Sequence, residues 1–146
     1  MYMKKVSDIL SRKGTAIESV RPDTTVLDAL RLMAEKNIGS VVVMDNNRFV
    51  GIITERDYSR KVALKGKSST DTKVDEIMSV DFPSVSPRDS IEVCMQLLSE
   101  KNIRYLPVFE EDKMVGILSI NDIVKQTILA QEETITSLKE YMGTNM

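Results

Sequence analysis

The 146-residue chain has no histidine, no tryptophan and one cysteine, Cys94. Without histidine, a Ser-His or Cys-His nucleophile pair is impossible. A zinc site would have to rest on carboxylates, and none cluster at ligand spacing. One cysteine excludes an intrachain disulfide. Apolar runs such as Val41 to Met44 fall far short of the roughly 20 residues that span a bilayer. The start, "MYMKKVSDIL", lacks the apolar stretch of a secretory signal. Neither charge dominates: 20 Lys and Arg stand against 22 Asp and Glu, a net charge of -2. Nothing basic enough for nucleic acid or an anionic membrane follows from that balance. No G-x-G-x-x-G or Walker-type loop is present. These absences lead to the expectation of a cytoplasmic protein with no metal site.

What the chain does have is a repeat. Residues 20–62 align with residues 85–127 at an offset of 65, without a gap. Twelve positions are identical: Val20, Pro22, Leu32, Glu35, Lys36, Asn37, Ile38, Val43, Val50, Gly51, Ile52 and Asp57. Ordinary residue usage gives about 2 or 3 by chance. A shorter echo precedes each copy, "VSDIL" at Val6 and "VDEIM" at Val74.

Each copy has the same internal order. A short strand is expected at Ala16 to Val20, and again at Ser84 to Val85. An amphipathic helix follows, with apolar positions at Val26, Leu30 and Met33, and at Ile91, Cys94, Met95 and Leu98. Thr25 with Asp28, and Asp89 with Glu92, resemble capping boxes. Two strands come next, "SVVVM" with "FVGIIT" and "YLPVF" with "MVGILS". In the first copy Asn46-Asn47 suits a tight hairpin turn, because Asn tolerates positive φ. The nearly continuous apolar runs suggest strands covered on both faces. A second helix begins after Thr54 and after Ser119.

The fold class is therefore α/β (α+β): two β-α-β-β-α repeats packed as one pseudo-twofold domain, with a C-terminal helical extension. The divisions are 1–68 for the first repeat, 69–130 for the second and 131–146 for the tail. Gly66 is placed to end the helix before the polar linker "KGKSSTDTK". Along the last helix, Ile128, Ile135, Leu138 and Met142 form a sparse apolar stripe. It either packs on its own domain or makes a subunit contact.

"GIITERD", Gly51 to Asp57, recurs as "GILSIND", Gly116 to Asp122. A hydroxyl and a carboxylate three positions later sit at a helix start in both. They can be a cap worth about 1 kcal/mol. They can also serve a ligand: free N–H groups at a helix N-terminus suit an anion, and a carboxylate accepts two bonds from a cis-diol.

A tandem repeat with V-G-I-x-[ST]-x-x-D in each copy resembles the cystathionine-β-synthase (CBS) domain pair, and the resemblance covers nearly the whole chain. "MAEKNIGSVVVM", "VGIITERDYSRKVALKG", "KNIRYLPV" and "TSLKEYMG" resemble the small stand-alone CBS-pair proteins in particular. The resemblance implies a regulatory, non-catalytic module. It implies an adenosine-containing ligand in the cleft between the repeats: AMP, ADP, ATP, NAD(H) or S-adenosylmethionine. It also implies a homodimer.

On that reading Thr54 and Asp57, and Ser119 and Asp122, hold the ribose. Arg104, at the position of Gly39 in the first copy, reaches across to the phosphate of the ligand held by Thr54 and Asp57, since its planar fork donates in pairs, while the Ser119 and Asp122 cavity gains no such charge from Gly39. Gly39 and Ser40 leave room for the ligand. Ile38, Val41, Leu106 and Pro107 wall the base, with Ile17 or Val85 behind. Arg56 is a secondary cation, and Lys13 a weaker one that reads more readily as a solvated side chain. Tyr105 stands where many relatives have His, and can donate a hydrogen bond or stack. Asn121 stands where many have Gly, which narrows the second cavity.

Three functions follow. The leading one is an adenine-nucleotide sensor read by a partner protein, with no nucleic acid or membrane involved. The alternative is a dimeric scaffold with a vestigial cleft. A nucleotide hydrolase is the least favoured, because only carboxylates are available as a base and no Mg²⁺ pair is evident.

Overall fold

A computed structural model describes residues 5–143, the side chains of residues 137 and 141–143 excepted; Met142 of the apolar stripe lies outside the described side chains. Two compact units are present. A central unit runs from Ile17 to Phe82, and a flanking unit combines the chain up to Ala16 with the chain from Pro83 on.

In the central unit, β1 (Ser19–Val20) runs parallel to β2 (Ser40–Asp45), which pairs antiparallel with β3 (Arg48–Thr54). The helix α2 (Val26–Lys36) joins β1 to β2. It starts at Thr25, whose hydroxyl accepts from the Asp28 amide at 3.1 Å, and ends at Asn37 in the left-handed region. The turn between β2 and β3 places Asn46 and Asn47 at φ 51° and 66°, as the Asn pair predicts. The helix α3 (Glu55–Tyr58) follows β3 and continues as a wider π turn over Ser59–Ala63. Gly66, at φ 67°, follows it. The short helix α4 (Val74–Ile77) closes the unit.

The flanking unit repeats this plan. The helix α5 (Ile91–Lys101) ends at Asn102, again left-handed, and β4 (Tyr105–Glu110) pairs antiparallel with β5 (Lys113–Ser119). Both hairpins carry a register shift at the same place, between Val43 and Met44 and between Val108 and Phe109. The helix α6 (Ile120–Gly143) runs for 24 residues. The N-terminal helix α1 (Val6–Lys13) belongs to this unit.

Three expectations differ from what is observed. The strand at Ser84–Val85 is reduced to one parallel bridge, Val85 to Val108. The cause is Pro107. In the first copy the Val42 N–H at that position donates to Glu18 O at 3.0 Å, and proline has no N–H to give. The strand at Ala16–Val20 shortens to Ser19–Val20. And α5 is capped by Ser90, whose hydroxyl accepts from the Val93 amide, not by Asp89. Asp89 instead closes the preceding turn by accepting from the Ser86 amide at 2.7 Å. Ser90 is the partner of Thr25 at the offset of 65, so the repeat itself marks it.

The two echoes are exchanged. Lys5, just before α1, bridges to Ser90, while Lys73, just before α4, bridges to Thr25. The leading helix of each copy thus enters the unit built by the other copy's sheet. Val6, Ile9 and Leu10 of α1 join the core of Cys94, Leu98, Leu106, Val108, Leu118 and Ile123. Val74 and Ile77 of α4 join Val26, Met33, Val41, Val43 and Ile53. Each such side chain is worth about 1.5–3 kcal/mol when fully buried.

The glycine of V-G-I makes room for this. A Cβ on Gly51 would stand 2.9 Å from Ser79 O and 2.9 Å from Met78 Sδ. On Gly116 it would meet Leu10 Cδ2 at 2.7 Å.

Candidate functional site

The register of each hairpin gathers half of the expected residues. In the central unit Ser40 lies opposite Thr54 and Val41 opposite Ile53. The Glu55 amide at the start of α3 donates to Gly39 O at 3.1 Å. In the flanking unit Tyr105 lies opposite Ser119 and Pro107 opposite Ile117, and the Ile120 amide donates to Arg104 O at 2.9 Å. So Ile17, Ile38, Gly39, Ser40, Val41, Thr54, Arg56 and Asp57 share one unit. Lys13, Arg104, Tyr105, Leu106, Pro107, Ser119, Asn121 and Asp122 share the other.

Both acidic boxes cap their helices, and they differ in what is left over. The Thr54 hydroxyl accepts from the Asp57 amide, while Asp57 Oδ2 accepts from the Thr54 amide and hydroxyl, all at 3.0 Å. Asp57 Oδ1 accepts from Ser79 Oγ at 2.9 Å and pairs with Lys61 Nζ at 3.0 Å. Lys61 also donates to Ile77 O. The carboxylate is buried and both oxygens are engaged from within the unit.

At the second box, Asp122 Oδ2 accepts from the Ser119 amide at 2.8 Å and from Lys13 Nζ at 2.7 Å. Its Oδ1 accepts no hydrogen bond among the described residues. Lys13 also donates to Ile117 O. Arg12 donates to Gln126 Oε1 at 3.0 Å and to Asp122 O at 3.3 Å. The cation therefore comes from a different place in each unit. Lys61 sits one turn along the helix from Asp57. Its counterpart is Gln126, and α1 supplies Lys13 and Arg12 in its stead. The pairing of Lys13 with Asp122 is not visible in the sequence, because the exchange of leading helices is what brings the two together.

Burial raises the Asp122 carboxyl, but the bonds from Lys13 and Ser119 outweigh it and hold it below its ordinary 3.8. The folded carboxyl titrates below the unfolded one, so the contact stabilises fully above the unfolded value and is lost as pH falls through the folded one. The melting-temperature gap between wild type and Asp122→Asn is expected to hold from pH 7 to about 5 and to close below about 4. Thermal melts across that range check it; a gap unchanged at about pH 3 contradicts it.

The expected base walls divide. Val41 and Leu106 are 1% and 0% exposed and belong to the two hydrophobic cores. Ile38 is on the surface, where it lines a groove of about 380 Å³ with Leu30, Met33, Asn37, Gly39 and Glu55. The equivalent groove of the flanking unit is larger, about 550 Å³. Arg104 and Ile120 replace Gly39 and Glu55 there, and the longer α6 adds Ile123, Val124, Thr127 and Ile128. Met95, expected on the buried face of α5, opens onto this groove. Neither groove is lined by the side chains of the two acidic boxes.

Burial pushes the Cys94 thiol up to about 11, which keeps it protonated at neutral pH. No group of three His, Cys, Asp or Glu that could hold a metal occurs among the described residues. No helix among them is long and apolar enough to cross a membrane.

Two β-α-β-β-α units, each with a hydroxyl-and-carboxylate box where a strand enters a helix, make up a tandem-repeat module. The chain matches the CBS domain over residues 6–64 and 74–128, and it belongs to that family. It is 34% identical over 146 residues to the mitochondrial CBS domain-containing protein CBSX3 of Arabidopsis thaliana, covering 94% of this chain and 71% of that one. A CBS-domain protein from Burkholderia ambifaria has a TM-score of 0.84 at 44% identity, with 87% and 96% coverage. A hexameric CBS-CP12 protein from bloom-forming cyanobacteria has a TM-score of 0.74 at 26% identity, with 99% and 87% coverage. Tandem CBS domains are generally regulatory and commonly bind adenine nucleotides, and stand-alone CBS proteins are generally non-catalytic.

Proposed function

We propose that this protein is a non-catalytic, cytoplasmic regulatory module that binds an adenosine-containing ligand (AMP, ADP, ATP or NAD(H)) and passes its occupancy to a partner protein, working as a homodimer. One observation carries the reading. Among the described residues Asp122 Oδ1 accepts no hydrogen bond, while Lys13 and Arg12 gather beside the carboxylate at the start of α6. A ribose diol needs an acceptor oxygen, and a phosphate needs cations nearby to offset the carboxylate. Arg104, Tyr105, Ser119 and Asn121 complete this half of the site.

Thr54 and Asp57, with Ile17, Ile38, Gly39, Ser40 and Arg56, are the second candidate set, in the central unit. There the diol must displace Ser79 or Lys61 from Asp57, so the Asp122 half fills first. A scaffold with a vestigial cleft is the second reading, favoured by the saturation of Asp57 from within its own unit.

A thermal-shift panel with AMP, ADP, ATP, NAD⁺ and NADH tests the proposal. At least one is expected to raise the melting temperature of the wild type, by roughly 2.7 kcal/mol of added stability at a hundredfold excess over Kd. Asp122→Ala is expected to abolish the shift. No shift with any of them supports the scaffold instead.

A further inference from the structure

The cap uses the same carboxylate oxygen in both boxes. The Thr54 amide donates to Asp57 Oδ2, and the Ser119 amide to Asp122 Oδ2. The lysines differ. Lys13 falls on Asp122 Oδ2, the oxygen already used by the cap. Lys61 falls on Asp57 Oδ1, the oxygen that the cap leaves over. Ser79 Oγ donates to that same oxygen at 2.9 Å. An ionised carboxylate has about four acceptor positions. At Asp57 the Thr54 amide, the Thr54 hydroxyl, the Ser79 hydroxyl and the Lys61 ammonium account for all of them.

The two donors on Oδ1 do more than pair a buried charge. Lys61 also donates to Ile77 O at 2.9 Å, at the end of α4. Ser79 is held by its two backbone bonds with Ile52. Together they fasten the end of α4 to the helix that starts at Thr54. Lys61 lies in the middle of the π turn Ser59–Ala63, closed by the Leu64 amide on Ser59 O at 3.0 Å. Turns of this kind are frequent at functional positions. At the offset of 65 the counterpart of Lys61 is Gln126, buried within the α-helix α6. The box recurs in both repeats, whereas this lysine belongs to one.

We infer that Lys61 and Ser79 are a latch that keeps the central box closed: they occupy the Asp57 oxygen that a ribose diol would use, so that the chain takes up one nucleotide where two boxes could take two. Lys61 acts here through Asp57, as a positioning residue. The inference rests on the ligand reading above, and its test separates the two.

Calorimetric titration with AMP, which carries both a ribose diol and a phosphate, provides that test. The wild type is expected to bind one AMP per chain. Lys61→Met with Ser79→Ala removes both donors and leaves Asp57 and its cap in place. That double variant is expected to bind two, the added site gaining about tenfold or more in affinity. Its retained first site shows that it is folded. Lys61→Met alone, at a half-exposed side chain, is expected to show the added site more weakly and gives an answer independent of Ser79. Lys61→Arg keeps the cation and should stay at one site. 2′-Deoxy-AMP lacks the diol and should not fill the added site. One AMP per chain in the wild type and in both Lys61→Met proteins would overturn the latch and leave the ligand reading standing. Two equal sites in the wild type would overturn the latch as well. AMP bound by none of these proteins overturns both. AMP bound by the Lys61→Met proteins alone supports the latch and removes Asp122 as the site that fills first.

Discussion

Gly51→Ala is expected to lower stability by about 2–3 kcal/mol, whereas Gly116→Ala at the same place in the repeat costs about 1 kcal/mol. At roughly 3 °C per kcal/mol for a chain of this size, the melting temperatures should fall by about 6–9 °C and about 3 °C. The difference lies in what each new methyl group meets. At Gly51 it meets the Ser79 carbonyl at 2.9 Å. That carbonyl is held because Ser79 and Ile52 exchange both backbone hydrogen bonds, each 2.9 Å. A backbone oxygen so tied cannot step aside. At Gly116 the neighbour is the far end of the Leu10 side chain, which can change rotamer. Moving Ser79 also withdraws its hydroxyl from Asp57, so the Gly51 variant should loosen the first acidic box as well. Thermal melts of the two variants check this, and equal losses would contradict it.

Asp57→Ala is expected to cost about 3 kcal/mol, and Asp122→Ala about 1 kcal/mol. Losing the cap contributes about 1 kcal/mol in either case. At Asp57 the half-buried Ser79 hydroxyl also loses its acceptor, and a group left unpaired there carries a further penalty of about 1–3 kcal/mol, while Lys61, 44% exposed, can turn to water. At Asp122 the freed Lys13 side chain, 28% exposed, can turn to water. The proposed ligand response runs the other way. Asp57→Ala should keep a nucleotide-induced shift above its lowered baseline, and Asp122→Ala should lose it. Urea denaturation gives the stabilities, and the same samples with nucleotide give the response. Equal destabilisation by the two substitutions would undo the distinction between a saturated box and an open one.

Much of this was legible in the residues. The offset of 65 carried the helix starts, the hairpins and the paired boxes, because local chemistry recurs in both copies. Asn46-Asn47 set a two-residue turn, and Thr54 and Ser119 mark helix starts whatever else they do. Other features depended on contacts distant in sequence. "VSDIL" and "VDEIM" each precede their own copy and are nearly interchangeable, so nothing local says that each crosses to the other sheet. That crossing is what brings Lys13 to Asp122. Val41 and Leu106 have the same apolar character whether they wall a ligand or fill a core, and burial alone separates the two. The loss of the parallel strand at Ser84–Val85 follows from Pro107, but only once the partner of the missing N–H is known.

Calorimetric titration of the wild type and Asp122→Asn with AMP, ADP, ATP and NAD(H) tests the central claim most directly. Asn keeps the shape of the side chain and removes its charge, so the fold is retained while the diol acceptor is weakened. The account predicts saturable binding of at least one of these compounds by the wild type, filling the Asp122 half first. It predicts at least a tenfold loss of affinity in Asp122→Asn, about 1.4 kcal/mol. Binding of the same strength to both proteins, or binding of none of these compounds to the wild type, would contradict it.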